Sequence, residues 1–172
     1  VVMACWSALA LGFNTRLSAM MAQAIAPTGA VMTFIALWTG AFWGRPTWGT
    51  YWAWDARMTS ELILLFLYLG FMGLRASIDD VSRADRASAV LALVGVVNLP
   101  IIRYSVEWWN SIHQAPSVMK MDRPSMPFDM LAPLLAMLLG FSLYFGAVLL
   151  IRLRAEILRR ERNASWIREE LT

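Results

Sequence analysis

The sequence predicts an all-α, polytopic integral membrane helix bundle that forms one domain over residues 1–172. The chain is 59% hydrophobic and 16% charged, with a mean hydropathy of +0.54, which is too apolar for an ordinary soluble domain. Long apolar runs recur along it, separated by short polar segments. Basic residues collect in some of those segments and in the tail at 152–172, a pattern typical of membrane proteins.

Five apolar runs predict five membrane-spanning segments. The first, at 1–13, is shorter than the roughly 17–25 residues that a spanning helix needs. We therefore expect it to be the end of a span that begins upstream of Val1. The other four runs lie at 17–43, 59–74, 87–109 and 128–151.

Two of these segments contain residues that interrupt a regular helix. Pro27 and Gly29 lie in the second, where neighbouring helices can satisfy the freed backbone groups. Asn98 and Pro100 lie in the fourth and predict a kink, with Asn98 bonded across helices or to a freed carbonyl.

The distribution of basic residues predicts which segments share a side of the membrane. Arg16, the loop at 75–86 and the tail hold about twice as many lysines and arginines as the opposite side, and the richer side is the cytoplasmic one. The loops at 44–60 and 110–127 should then face the periplasm of a bacterial inner membrane, or the equivalent side of the mitochondrial inner membrane.

The most unusual stretch is WGTYWAWDARMTS at 48–60, which contains three tryptophans, a tyrosine, an aspartate and an arginine. Clustered tryptophans form a flat apolar surface that suits a membrane interface or a planar ligand. The plainer interpretation is an interfacial aromatic belt in which Asp55 caps the next helix and Arg57 pairs with Glu61. Both interpretations place the stretch in a loop between two spans.

The only histidine is His113, in the loop predicted to share a face with the tryptophans. If the fourth helix continues beyond the membrane, Glu107, Asn110 and His113 lie on one strip and Trp109 on an adjoining one. An imidazole there can bind iron through one nitrogen while a hydrogen bond orients the other. The alternative is an ordinary surface histidine.

Three arginines near this face are candidates for binding ligand carboxylates, because a guanidinium matches a carboxylate with paired donors. They are Arg45, Arg57 and Arg103. Arg103 lies four residues before Glu107, so a structural ion pair explains it equally well.

Several function classes are excluded. The chain has no GxxxxGKS phosphate loop, so it is not itself an ATPase, and it has no Ser/His/Asp or metal-hydrolase pattern. Its single cysteine excludes an intrachain disulfide.

The stretch at 48–60 resembles the tryptophan-rich WWD signature of the heme-handling membrane proteins of cytochrome c biogenesis, and within them most resembles the CcmC family. The residues after the aspartate, Ala-Arg-Met-Thr-Ser, differ from the proline and glutamate usual in synthetase-type relatives. The resemblance extends through ELILLFLYLGF and VGVVNLPIIRYSVEWWNSIHQ, over 26–114.

This resemblance implies a six-helix protein that holds heme b at the periplasmic face, with the WWD loop against the porphyrin and two histidines as axial ligands. One ligand maps onto His113, and the other lies upstream of Val1 in the family. The predicted metal ligand is therefore His113, and the predicted cofactor-binding residues are His113, Trp48, Trp52, Trp54, Asp55, Arg57 and Trp109.

The resemblance also implies heme delivery without catalysis. The expected partners are the heme chaperone CcmE, the ATPase and membrane subunits CcmA and CcmB, and the small subunit CcmD. Three alternatives remain open: a transporter subunit that moves heme or another amphipathic molecule, an enzyme that uses Asp55 and Glu61 on a lipid-linked substrate, and a structural scaffold.

Overall fold

The computed structural model describes residues 1–109, 111–114 and 126–162. Within these ranges the regular secondary structure is entirely helical. The helices are α1 (Val2–Phe13), α2 (Arg16–Trp48), α3 (Ala56–Ala76), α4 (Val81–Gly95), α5 (Asn98–Trp108) and α6 (Phe128–Glu161).

Four segments of the described chain are long and apolar enough to cross a membrane. They are α2, α3, the combined α4 and α5 over Val81–Trp108, and α6. The shorter apolar helix α1 corresponds to the first predicted run. The predicted polytopic helix bundle is thus confirmed, although α2, α3 and α6 extend beyond the apolar runs that predicted them and α4 begins before the fourth run.

The bundle is organised around α2, which packs against α1, α3, α4 and α6. Its core is built from small side chains, with Ala22 and Ala26 of α2 against Phe71 of α3 and Ala92 of α4. Small residues let membrane helices approach closely. At Gly29 the approach is so close that an added Cβ would lie 2.5 Å from the ring of Tyr68.

The predicted kink in the fourth span is confirmed as a break between α4 and α5. The helix leaves its regular path at Val96 and Val97, just before the Asn98-Leu99-Pro100 sequence. Asn98 is buried, and its Nδ2 donates to the backbone carbonyl of Ser60, at 2.8 Å. This bond ties α5 to the first turns of α3.

The two ends of the bundle are held differently. At one end, which we call the network end, polar side chains from four helices are joined. Asp85 of α4 pairs with Arg75 of α3 at 2.6 Å and with Arg160 of α6 at 3.0 Å. Gln23 of α2 accepts from both arginines, and Glu156 accepts from Arg160. The other end, the groove end, contains the connection between α2 and α3 and the segment after α5.

Candidate functional site

The connection between α2 and α3 is a short turn at 49–55. Gly49 ends α2 with a φ of 79°, a left-handed conformation that glycine adopts without strain, and its N–H donates to the carbonyl of Arg45 at 3.0 Å. The Thr50 hydroxyl donates to the carbonyl of Trp52, at 2.9 Å. The non-helical part of the predicted 44–60 loop is therefore only these seven residues, and Trp48 and Arg57 belong to helices.

Asp55 lies at the predicted N-cap position of α3, but it has no side-chain capping hydrogen bond. Its buried carboxylate instead accepts from two residues beyond α5. The Ser111 hydroxyl donates to Asp55 Oδ2 at 2.7 Å, and His113 Nδ1 lies 2.8 Å from the same oxygen. Residues more than fifty positions apart are thus joined at the groove end.

A turn at Ser111 brings His113 to Asp55. The backbone N–H of His113 donates to Ser111 Oγ at 3.1 Å, a local bond that competes with helix formation. Accordingly α5 ends at Trp108 and Trp109 is extended. The expectation that His113 and Glu107 share a helical strip is wrong, and Asn110 lies outside the described residues.

The contact with Asp55 determines the chemistry of the imidazole. A carboxylate only accepts, so the proton of a neutral His113 lies on Nδ1 and the lone pair on Nε2. Burial raises the pKa of Asp55, but the hydrogen bonds from Ser111 and His113 outweigh it and hold that pKa below its ordinary value of 3.8. The carboxylate is therefore charged at neutral pH and leaves the lone pair on Nε2, which has no hydrogen-bond partner among the described residues.

Tryptophan rings flank the imidazole. The ring of Trp48 packs against His113 with centroids 4.6 Å apart and planes inclined by 67°. Trp43, one turn earlier on α2, packs edge-on against Trp48 at 5.1 Å. Because α2 remains helical through Trp48, both indoles are held by a rigid element beside His113.

His113 and these tryptophans line an open groove of about 600 Å³ between α2, α3 and the segment after α5. We call it the imidazole groove. One wall is α2, and the other is the first two turns of α3, with Arg57 and Glu61. The residues that line it are Ala36, Leu37, Gly40, Trp43, Thr47, Trp48, Arg57, Met58, Glu61, Ile112, His113 and Gln114.

Comparison with known proteins identifies the family. The family model described as CcmC, heme exporter protein C, matches residues 1–168. The chain belongs to the CcmC family. Curated proteins named heme exporter protein C are 58% identical in Bradyrhizobium diazoefficiens, 42% in Haemophilus influenzae and 47% in Escherichia coli K12. The resemblance drawn from the WWD stretch is thereby confirmed.

The similarity to these CcmC proteins covers most of this chain and part of each relative. It covers 81% of the chain and 53% of the Bradyrhizobium protein, 96% and 68% for the Haemophilus protein, and 94% and 64% for the Escherichia protein. The chain thus spans about half to two thirds of the length of these relatives.

The structure divides the aromatic residues expected from the CcmC resemblance into two sets. Trp48 lines the imidazole groove, whereas Trp52 and Trp54 pack edge-on against each other at 5.5 Å. Trp54 is 79% exposed. Trp109 packs against Trp108, with centroids 5.8 Å apart. The second set, Trp52, Trp54 and Trp109, does not line the groove.

The candidate arginines are also separated. Arg57 lines the imidazole groove, and no ion pair within 4 Å joins it to Glu61 in the described part of the chain. Arg45 donates to the carbonyl of Gly49 and lies over the Tyr51 ring. Arg103 pairs with Glu107 at 3.7 Å, the predicted structural pair. Of the three candidate arginines, only Arg57 lines this groove.

Sequence reasoning missed two features of this site. Asp55 and His113 were both singled out, but nothing in the sequence shows that they meet. Ser111 was not singled out, although a serine two residues before a loop histidine is a recognisable turn signal.

Proposed function

We propose that this chain binds heme b in the imidazole groove and presents it at the periplasmic face of the bacterial inner membrane. The observation that carries the proposal is the hydrogen bond from His113 Nδ1 to the buried Asp55 carboxylate. It fixes an imidazole with Nε2 available, beside a tryptophan and at an open groove.

The residues present fit the chemistry of heme. A porphyrin supplies four nitrogens to iron and leaves the axial positions to protein ligands, so one well-oriented imidazole is a useful contribution. Among the described residues no group of three or more His, Cys, Asp or Glu side chains could hold a bare metal ion. A groove of about 600 Å³ lies within the usual size range of small-molecule sites.

Each remaining part of heme has a candidate contact. Trp48 and Trp43 offer aromatic surface for the macrocycle, and Arg57 offers a cation for a propionate. His113 is the only histidine in the 172 residues, so these residues would supply one imidazole ligand to the iron.

We assign the chain a role in heme delivery for cytochrome c maturation, without catalysis of its own. The name heme exporter protein C, carried by relatives up to 58% identical, supports this role. The proposed recipient is the chaperone CcmE, and the proposed complex includes CcmA, CcmB and CcmD. An open groove suits transfer to such a partner, because bound heme stays accessible.

Filling the groove without disturbing the fold tests this proposal. Gly40 lines the groove, and an added Cβ there meets no atom within 4 Å. We expect Gly40→Phe to weaken hemin retention by the detergent-solubilised protein at least ~10-fold, because the ring occupies the ligand volume. Gly140→Phe is the matched control, since Gly140 of α6 has equally open surroundings and does not line the groove.

Equal hemin retention by Gly40→Phe and Gly140→Phe would show that hemin does not bind in the imidazole groove. Unfolding temperatures measured in parallel separate a blocked site from a damaged fold. Both variants should unfold near the wild-type temperature, because neither added side chain meets a neighbour at its Cβ.

A further inference from the structure

A second groove, of about 740 Å³, lies at the network end. We call it the basic groove. It is formed where α1 ends, where α2 and α4 begin and where α6 ends. Five arginines line it, against the two acidic residues Asp85 and Glu161. It is separate from the imidazole groove, so the inference below does not rest on the proposed function.

Three of these arginines are exposed and make no ion pair within the described residues. They are Arg16 at the start of α2, Arg86 of α4 and Arg162 after α6. The other two differ, since Arg159 is bound to Glu156 and Arg160 is held by Glu156 and Asp85. Arg160 links α6 to α4 and Arg159 pairs within α6, whereas the three exposed arginines leave positive charge at the groove.

The start of α2 adds to this positive potential. Its N-cap, Thr15, makes no capping hydrogen bond to the backbone, and its hydroxyl donates to Ser18 Oγ at 2.6 Å. The first turn of α2 also contains no acidic residue. Its free N–H groups therefore favour an anion beside Arg16.

The remaining wall of the basic groove is apolar. Leu11 of α1, Met20 of α2 and Val81 of α4 line it next to the arginines. Just outside, Leu9 and Phe13 of α1 are exposed, as expected for side chains that face acyl chains. A site that joins cationic and apolar surfaces at the end of a membrane helix matches a phospholipid, whose anionic head carries two apolar chains. Neither free phosphate nor a purely acidic peptide uses the apolar wall.

We propose that the basic groove binds an anionic phospholipid, with its phosphate at Arg16 and Arg86 and its acyl chains along α1. Asp85 and Arg160 belong both to the polar network and to the lining of the basic groove. A lipid in the groove would therefore contact the same helices that the network joins. The lipid thereby strengthens the packing of α1, α4 and α6 around α2.

The test measures binding of dioleoyl phosphatidylglycerol, with dioleoyl phosphatidylcholine as the neutral comparison, to the detergent-solubilised chain by native mass spectrometry. Wild type should retain phosphatidylglycerol preferentially. The double variant Arg16→Gln/Arg86→Gln should bind it about 30-fold more weakly, and the single variant Arg86→Gln about fivefold. These arginines are exposed and unpaired within the described chain, so the variants should fold.

The matched control is Arg152→Gln/Arg154→Gln, which removes two exposed arginines of α6 that do not line the groove. It should bind phosphatidylglycerol like wild type. Equal losses in both double variants would mean general surface attraction and would overturn the site, as would equal retention of the two lipids. If inorganic phosphate at equal concentration displaces phosphatidylglycerol, the ligand is a free anion. If polyglutamate displaces it, the ligand is an acidic protein segment. Either result overturns the lipid assignment.

Discussion

The two ends of this bundle use charged and polar groups in opposite ways. At the network end, Arg75, Asp85 and Arg160 satisfy one another and link α3, α4 and α6. At the groove end, a single carboxylate, Asp55, holds a serine and a histidine, and the second histidine nitrogen is left for another partner.

The residues of the network end therefore serve mainly to hold the helices together. Those of the groove end are candidates for binding a ligand. A network whose members satisfy one another contributes to packing, and its loss damages stability. A cluster beside an open groove, with one imidazole nitrogen that has no partner among the described residues, is placed to contribute to binding, and its loss should cost less stability than loss of the network. Each prediction below changes one end and measures either stability or hemin binding.

The largest expected effect on stability comes from Asp85→Asn. This change leaves Arg75 and Arg160 without their shared carboxylate, and breaking a buried ion pair costs about 3 kcal/mol of unfolding free energy. Denaturation in mild detergent measures it. Asp79→Asn, at an exposed position of the turn before α4, is the matched control and should change little. If the two variants unfold alike, the network does not hold the helices.

The second largest effect is the loss of hemin affinity that we expect from Asp55→Asn. The amide can donate to His113 Nδ1 and so move the ring proton to Nε2, the atom proposed to bind iron. We expect hemin affinity to fall about 10- to 100-fold, as for other residues that orient metal ligands. Hemin titration followed by absorbance measures it. Asp129→Asn, an exposed acid in the first turn of α6, should bind like wild type.

A smaller effect concerns the pH dependence of stability. Because the pKa of Asp55 is lowered in the folded state, its stabilising contribution is complete above its ordinary pKa of 3.8 and is lost as the pH falls through the lower folded value. The difference in unfolding temperature between wild type and Asp55→Asn should therefore shrink as the pH is lowered from about 5 to about 3. A difference that grows below pH 3.8 would contradict the assigned role of the carboxylate.

The smallest effect is expected for Arg57→Gln. A partly exposed charge pair contributes about 1 kcal/mol, so loss of a propionate contact should weaken hemin binding about fivefold. Arg103→Gln removes a charge of the same sign from outside the imidazole groove and should leave hemin affinity unchanged. Equal losses would indicate a general electrostatic effect and not a contact at Arg57.

The sequence was sufficient to predict the helices but not where they end. The apolar run of α2 stops at Trp43, yet the helix continues through Pro46 and Trp48 until Gly49 takes a left-handed conformation. Hydropathy identifies the part of a helix within a membrane, whereas backbone conformation at Gly49 sets its end. Trp48 is therefore a rigid helical residue and not part of a loop.

The sequence singled out His113, Asp55, Trp48 and Arg57 but not their connections. It also singled out Trp52, Trp54 and Trp109, which do not line the groove. Asp55 and His113 are separated by two spans, and only the packing of α3 against α5 brings them together. The helical continuation past Trp108 was wrong because Ser111 forms a local bond to the backbone of His113. Long-range contacts of this kind depend on the fold and have no periodicity that a sequence pattern reveals.

The most direct test is the visible absorption spectrum of the purified chain with hemin, beside that of its His113→Ala variant. If His113 Nε2 binds iron in the imidazole groove, wild type shows a Soret band that weakens or shifts in the variant, while the variant remains folded. A wild-type spectrum that matches free hemin in detergent, or a bound spectrum that His113→Ala leaves unaltered, would contradict the assignment of His113 as the axial ligand.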